Sequence, residues 1–337
     1  MYGKLYPDIS VDSIFYGGGT PSMMTDRQIY EIQNALYKNF DISDKCEVTI
    51  ESNPEDFISS TDRFPDLRNM NINRMSFGVQ SFDNKALKFL TRMHTAEDAE
   101  NVIIQAKKYF SNISIDMIYA VPYETKDELK AGFEKVVSLN IQHISAYSLI
   151  FEKYTRLNML AEQSKITRKT TDEEAEEYFL INEILCDNGF TQYEVSNYSL
   201  KDFESRHNKK YWNYDDYIGL GPSAHSYVNG ERWNNFRNII KYNNALDKKI
   251  LPIEKKEKLT TGEMTEEFIF LGLRSEGINF ERYNLLFGEN FESKYKSQII
   301  SLRETGLGEV VNGRFALTGR GKIIADEIQL RYFSESD

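Results

Sequence analysis

The residues best suited to chemistry in this chain lie in short runs that follow strand-like segments. Gly17-Gly18-Gly19-Thr20-Pro21 comes directly after the β-branched and aromatic run 11–16. Successive glycines free the backbone from Cβ clashes, and their exposed N–H groups can line an anion-binding concavity. Neither the Lys-Ser/Thr pair of a phosphate loop nor the GxGxxG spacing of a dinucleotide site accompanies them, so a tight strand-to-helix turn is the competing reading. Glu51, in Glu51-Ser52-Asn53-Pro54, closes a second run, Gln80 a third, and Asp116 lies in a fourth. Two carboxylates and an amide beside a glycine turn suit a ligand bearing both an ammonium and a carboxylate, with Arg92 as the countercharge for the latter. Any one of them alone is also an ordinary loop residue or a rim ion pair. Their shared placement after strands carries the functional reading.

The elements that must position these groups are legible from periodicity. Runs at 11–16, 47–51, 73–79, 113–118 and 143–149 read as strands. Helical spacing of apolar residues (Ile29, Ile32, Leu36) marks 26–37, and further helices follow Asp83, which can cap one, and cover 96–109 and 126–138. Five β units separated by helices imply a parallel sheet, because parallel strands need long crossovers. An α/β sheet curled into an open or closed barrel follows, with its ligand site at the C-terminal strand ends. Beyond residue 149 the rhythm changes. An acidic helix over 172–187 ends at Asn188-Gly189, a C-cap signal, and 190–195 reads as a strand. Residues 197–238 hold both tryptophans and the glycines of Gly219-Leu220-Gly221-Pro222 but little periodicity. Helices over 263–275, 292–305 and 318–331, with a β-wing at 308–317 before the N-cap Thr318, suggest a winged-helix-like appendage. The expected division is a barrel over 1–195, a connecting segment over 196–250 and an α+β domain over 251–337.

Composition narrows the function classes. The 337 residues carry a formal charge of −11, which argues against a nucleic-acid partner. No apolar run is long enough to span a bilayer and the first residues lack a signal-peptide core, so the expected location is cytoplasmic with at most peripheral membrane contact. The two cysteines, Cys46 and Cys186, are too few to ligate an iron-sulfur cluster or an all-cysteine zinc ion, and each is expected in a small apolar core role. His94, His143 and His225 are expected to be hydrogen-bonded structural residues.

Six ordered motifs carry a family resemblance: residues 17–22, Glu51-Ser52-Asn53-Pro54, 74–82 with its GVQSF, Asp116-Met117-Ile118-Tyr119 before Pro122, residues 193–198, and His207-Asn208-Lys209-Lys210-Tyr211-Trp212. Together they resemble the HemW branch of the radical S-adenosylmethionine (SAM) proteins, relatives of the oxygen-independent coproporphyrinogen oxidase. The resemblance implies an open TIM-like barrel without its first β/α unit, plus the appendage. It places Gly18, Gly19 and Thr20, with Gly17 of the same turn, at the methionine end of SAM. Glu51 falls near the SAM amino group, Asp116 near the ribose, and Gln80 and Arg92 at further cofactor contacts. His207 becomes the haem ligand, and Tyr211 and Trp212 become cover for a porphyrin face. The implied activity is that of a chaperone which binds haem and passes it to an acceptor protein, with SAM and a 4Fe-4S cluster in the intact family form. The alternatives are a coproporphyrinogen III dehydrogenase or a cluster-less chain without activity, so whether it is an enzyme stays open, and no catalytic residue is assigned.

Two departures from the family pattern stand out. Ala120-Val121 replaces the usual Gly-Leu, with a small expected effect. The C-x3-C-x2-C loop whose thiolates bind the cluster is missing from these 337 residues, so no metal ligand for it is present. The economical expectation is a start codon assigned downstream of the true one. As written, the chain is expected to be a poor radical enzyme with an open sheet edge.

Overall fold

A computed structural model describes residues 1–334. The chain divides into two compact units, Pro7–Ser205 and a second built from Met1–Tyr6 with the chain from Arg206 onward.

The first unit is built on a seven-stranded sheet. Its strands are β1 (Ser10–Tyr16), β2 (Asp41–Ser52), β3 (Arg74–Gln80), β4 (Ile113–Tyr119), β5 (His143–Ser148), β6 (Thr191–Gln192) and β7 (Asn197–Ser199), in the order β1-β2-β3-β4-β5-β7-β6. β1 to β5 pair in parallel, and β7 runs antiparallel to both β5 and β6. The sheet curls into a half-barrel, as its strand pattern led one to expect. Of the segment expected as one strand over 190–195, only Thr191–Gln192 is strand, and it forms one arm of a tight hairpin whose other arm is β7. Residues 193–196 turn between them, with Tyr193 N donating to Asn197 O.

Alternation along the parallel strands separates two chemistries. Val48, Ile50, Met75, Phe77, Val79, Ile113, Ile115, Met117, Ile144 and Ala146 are buried in one apolar cluster with Ile29, Leu67, Ile103, Phe133, Val136 and Leu185 of the helices. The alternate positions are Thr49 and Glu51, Arg74, Ser76 and Gln80, Ser114 and Asp116, and His143 and Ser145. Because side chains alternate faces along a strand, these all share the other face. The register sets Glu51 beside Ser76, Ser76 beside Ser114, Ser114 beside His143, and Asp116 beside Ser145. The sheet thus has an apolar outer face and a polar inner one. The helices against the outer face begin at repeated capping boxes: Thr25 with Gln28, Thr95 with Asp98, Thr125 with Glu128, and Thr170 with Glu173. Each satisfies two orphan groups at a helix start and is worth about 1 kcal/mol. Asp83 caps helix Asn84–Phe89 as expected.

The second unit holds two antiparallel three-stranded sheets. β8 (His225–Val228), β9 (Glu231–Asn235) and β10 (Ile253–Lys258) form one; β11 (Ile278–Asn279), β12 (Gly308–Val311) and β13 (Arg314–Leu317) form the other, ordered β11-β13-β12. The β12–β13 wing falls where the sequence placed it, turning through Asn312-Gly313. The two long helices expected over 292–305 and 318–331 are each broken in two, at Tyr295 and Ile324. The aromatic stretch after residue 197 is ordered structure: helix Arg206–Trp212 and then the β8–β9 hairpin, whose Asn229-Gly230 turn has both residues at positive φ. Gly219 is positional, since a Cβ there would lie 2.1 Å from His225 O. Tyr2 docks the first residues on β9 by stacking on Trp233 and accepting its indole N–H at 2.9 Å.

Candidate functional site

The expected cofactor residues gather at the C-terminal ends of β1 to β4. Gly17, Gly18, Gly19 and Thr20 leave β1, and Gly18 sits at φ +114°, where an L side chain is strained. Its N–H donates to Glu51 Oε2 at 3.3 Å, which joins the glycine turn to the end of β2. A Cβ on Gly17 would lie 3.2 Å from the same carboxylate oxygen and closer still to the Phe15 ring. Gln80 ends β3 at φ +74° and is buried, a strained backbone of the kind concentrated at ligand sites. A Cβ on Gly78 would lie 2.8 Å from the Gln80 amide nitrogen and 3.0 Å from Asn53 Oδ1, so this glycine makes room for both. Arg92 donates to Asn53 Oδ1 at 3.1 Å. Asp116 accepts from Ser76 at 3.4 Å.

The electrostatics identify what such a site takes. Burial pushes the Glu51 carboxyl up, and the charge of Asp116 pushes it further, against the Gly18 N–H and Arg74. Burial also pushes Asp116 up, opposed by hydrogen bonding from Ser145, by Arg74, by Ser76 and by Arg92. Two carboxylates facing each other in a desolvated cup disfavour ionisation unless donors or a cation arrive. A ligand with an ammonium and vicinal hydroxyls supplies both, while Arg92 and the glycine turn suit its carboxylate. The residues therefore fit SAM. Thr20 and Gly19 are held by the turn itself, Thr20 O accepting from Met23 N at 3.0 Å.

Sequence reasoning missed three supporting residues. Arg74 is 2% exposed on the polar face, and its Nε has no hydrogen-bond partner. Its charge acts on Glu51, Asp116 and His143 together. Arg63 donates to Ser22 O and Met24 O at 2.9 Å each and pairs with Asp26 at 2.7 Å, which pins the segment after the glycine turn. Asn53 accepts from Arg92 through its side chain and donates its N–H to Asp56 at 3.1 Å. The signal available for Arg74 was its place in the alternation of β3, where a charge on an otherwise buried strand is anomalous. Arg63 and Asn53 act through tertiary contacts that leave no periodic trace.

Histidines behave as expected where they are buried. His94 lies between Glu55 at 2.6 Å and Val79 O at 3.1 Å, and His143 between Ser114 Oγ and Tyr193 OH, each at 2.7 Å. Burial holds His143 well below the usual imidazole range. Of the cysteines, Cys46 is buried as expected. Cys186 is exposed on helix Thr171–Asp187, because position 186 falls on the solvent side of its apolar stripe; its core role is corrected. The residues present do not fit a 4Fe-4S cluster: two thiols, one of them buried in β2, are not a three-thiolate site, and no cluster of metal-ligating residues occurs among the described residues. Ala120, the departure from Gly, has φ +61°, so the backbone there demands the conformation glycine takes freely.

His207 lies in the second unit, on helix Arg206–Trp212. Its Nε2 is 3.1 Å from the Tyr211 hydroxyl, with the rings edge to face at 5.0 Å. Burial pushes the Tyr211 phenol up to about 12, with a smaller push from Tyr217, so it stays protonated at neutral pH. In the tautomer whose Nε2 accepts from this phenol, the lone pair that can bind iron lies on that nitrogen.

Comparisons with known proteins bear on the family and the fold. A profile of the Radical SAM superfamily matches residues 3–136, and one described as HemN C-terminal domain matches 259–324. The protein named Heme chaperone HemW of Bacillus subtilis (strain 168) is 31% identical over 325 residues, 96% of this chain and 85% of that protein. Its namesake in Lactococcus lactis subsp. lactis (strain IL1403) is 35% identical, covering 92% of this chain and 81% of the relative. The solved structure of coproporphyrinogen III oxidase (HemN) from Escherichia coli superposes with a TM-score of 0.80 at 20% identity, over 97% of this chain and 79% of that one, and shows the fold alone. No helix among the described residues is long and apolar enough to cross a membrane.

Proposed function

The chain belongs to the HemW family of radical SAM proteins, and on that premise we propose that it is a haem-binding chaperone that carries haem on His207 and releases it to an acceptor protein. The observation that carries the reading is the His207–Tyr211 pair, an imidazole whose Nε2 lies 3.1 Å from a protonated phenol on the same helix. Haem is cargo here. Its arrival displaces one hydrogen bond of modest net worth, about 1 kcal/mol, so the site opens at small cost. Tyr211 and Trp212 on the same helix offer aromatic surface to the macrocycle.

SAM, where bound, brings an alkylated sulfonium that a one-electron donor can cleave. In this chain Gly18 and Glu51 would hold its amino-acid end, Arg92 would neutralise its carboxylate, and Asp116 would accept from its ribose hydroxyls. The two cysteines of this chain do not make a cluster site. Likeness of fold to the oxidase at 20% identity does not carry its decarboxylation chemistry here.

The test is a spectroscopic haem titration of the full chain. Wild type should give a Soret shift with saturable binding, and His207→Ala should weaken it at least tenfold, a loss of about 1.4 kcal/mol or more. Unchanged binding by the variant refutes the assignment of His207. Conversion of coproporphyrinogen to protoporphyrinogen would favour the oxidase alternative instead.

A further inference from the structure

We propose that the second unit contains a separate carboxylate-binding pocket at the foot of the His207 helix, and that it receives a propionate arm of the tetrapyrrole. The proposal rests on the haem reading above and extends it from the iron ligand to the periphery of the cargo.

A cavity of about 290 Å³ opens among Trp212, Asp215, Phe268, Ile278, Arg282 and Arg314. Small-molecule sites begin at about 300 Å³, so it has room for one side arm rather than a whole macrocycle. Three features point to an anionic occupant. The Trp212 indole N–H is buried and has no acceptor. A buried donor left unpaired costs about 1–3 kcal/mol, which a carboxylate oxygen reaching it through a small shift of the lining would recover. The two guanidiniums are only partly used: Arg282 donates to Asp215 at 3.0 Å, while Arg314 donates to Gly277 O at 3.3 Å and reaches Glu276 only at 3.8 Å. Each guanidinium has five N–H donors in a planar fork, so both keep donors for a carboxylate. The third feature is the surplus of positive charge in the lining, two arginines against Asp215.

The remaining walls suit the methylenes of such an arm. Phe268 and Ile278 are buried apolar residues of the core. The floor cannot yield, since a Cβ on Gly272 would lie 2.7 Å from Ile278 Cγ1. Trp212 is five residues beyond His207 on one helix, a rise of about 7.5 Å with a turn of about 140° about the axis, so the arm would reach the cavity around the end of the helix.

The test compares haem with its dimethyl ester, which keeps the iron and ring but masks both carboxylates, by Soret titration of the full chain. Wild type should bind haem roughly tenfold or more tightly than the ester. Arg314→Gln should bring haem down towards the ester's affinity and leave the ester's own affinity unchanged, and Trp212→Phe should narrow the ratio of haem to ester affinity towards one. His207→Ala should weaken both ligands alike. Trp212→Phe removes the N–H and keeps an aromatic ring, so the comparison stands even if the arginine variant folds poorly. Equal binding of haem and ester by wild type, or a preference that survives both substitutions, overturns the pocket and leaves the haem reading intact. Absence of binding by either ligand overturns both.

Discussion

Glu124 offers the most quantitative check on the electrostatics of the site rim. It lies in the loop that continues from β4 and Asp116, buried, with one carboxyl oxygen lacking a partner. Around it, Lys169 donates to Glu124 O at 2.8 Å and pairs with Glu177, which in turn accepts from Ala120 N at 2.9 Å. Burial pushes the Glu124 carboxyl up to about 7 from an ordinary 4.5, Lys169 opposes this, and Glu177, Asp83 and Glu128 add to it. The folded state therefore binds this proton more tightly than the unfolded chain does. Its contribution to stability is complete below about pH 4.5, falls as pH rises towards about 7, and is flat above. With about 1.4 kcal/mol for each tenfold change in proton affinity, the loss across that window is about 3 kcal/mol. Glu124→Gln mimics the protonated group and cannot ionise. The variant should therefore be more stable than wild type by up to about 3 kcal/mol at about pH 8, and nearly equal to it at about pH 4.5. Urea denaturation of both proteins at the two pH values isolates the effect, because every other titrating group is common to the pair and cancels. A stability difference that does not change with pH would refute the reasoning.

Three other substitutions test the remaining parts. Gly18→Ala places a Cβ in open space but at φ +114°, so the cost is conformational alone: about 1–3 kcal/mol in a thermal melt, with loss of SAM binding. A variant as stable as wild type would show that the turn relaxes. Asp116→Asn removes one of two facing carboxylates and should weaken SAM binding by roughly 10- to 100-fold in calorimetric titration, the worth of a charge-assisted hydrogen bond. An unchanged affinity would remove Asp116 from the site. Tyr2→Phe leaves the Trp233 N–H buried without its acceptor and should cost about 1–3 kcal/mol, read by tryptophan fluorescence in chemical denaturation. No loss would mean that water replaces the phenol.

Much of the first unit was readable because its signals are periodic. Strands β1 to β5 announce themselves by β-branched runs, their helices by apolar residues at helical spacing, and the site residues by following strands. The β8–β9 hairpin was also written locally, in Asn229-Gly230, but it was hidden among aromatic residues whose packing partners are distant in sequence. The breaks at Tyr295 and Ile324 were not legible, since an apolar stripe at helical spacing continues across each of them. At Tyr295 the break coincides with the packing of Phe291, Tyr295 and Phe333 against one another.

Sequence alone determined the class of fold, the family, and the residue types at the site, because strand and helix periods and short ordered motifs are properties of neighbouring residues. Tertiary structure alone decided that Glu51 and Asp116 confront each other, that Arg74 lies unpaired by hydrogen bonds at Nε beneath them, that Cys186 faces solvent, and that Trp212 shares a cavity with Arg282 and Arg314. Those facts depend on distances between groups tens of residues apart. Burial and field at a given atom arise only when the chain has folded, and it is they that turn a list of polar residues into a site with a sign and a preference.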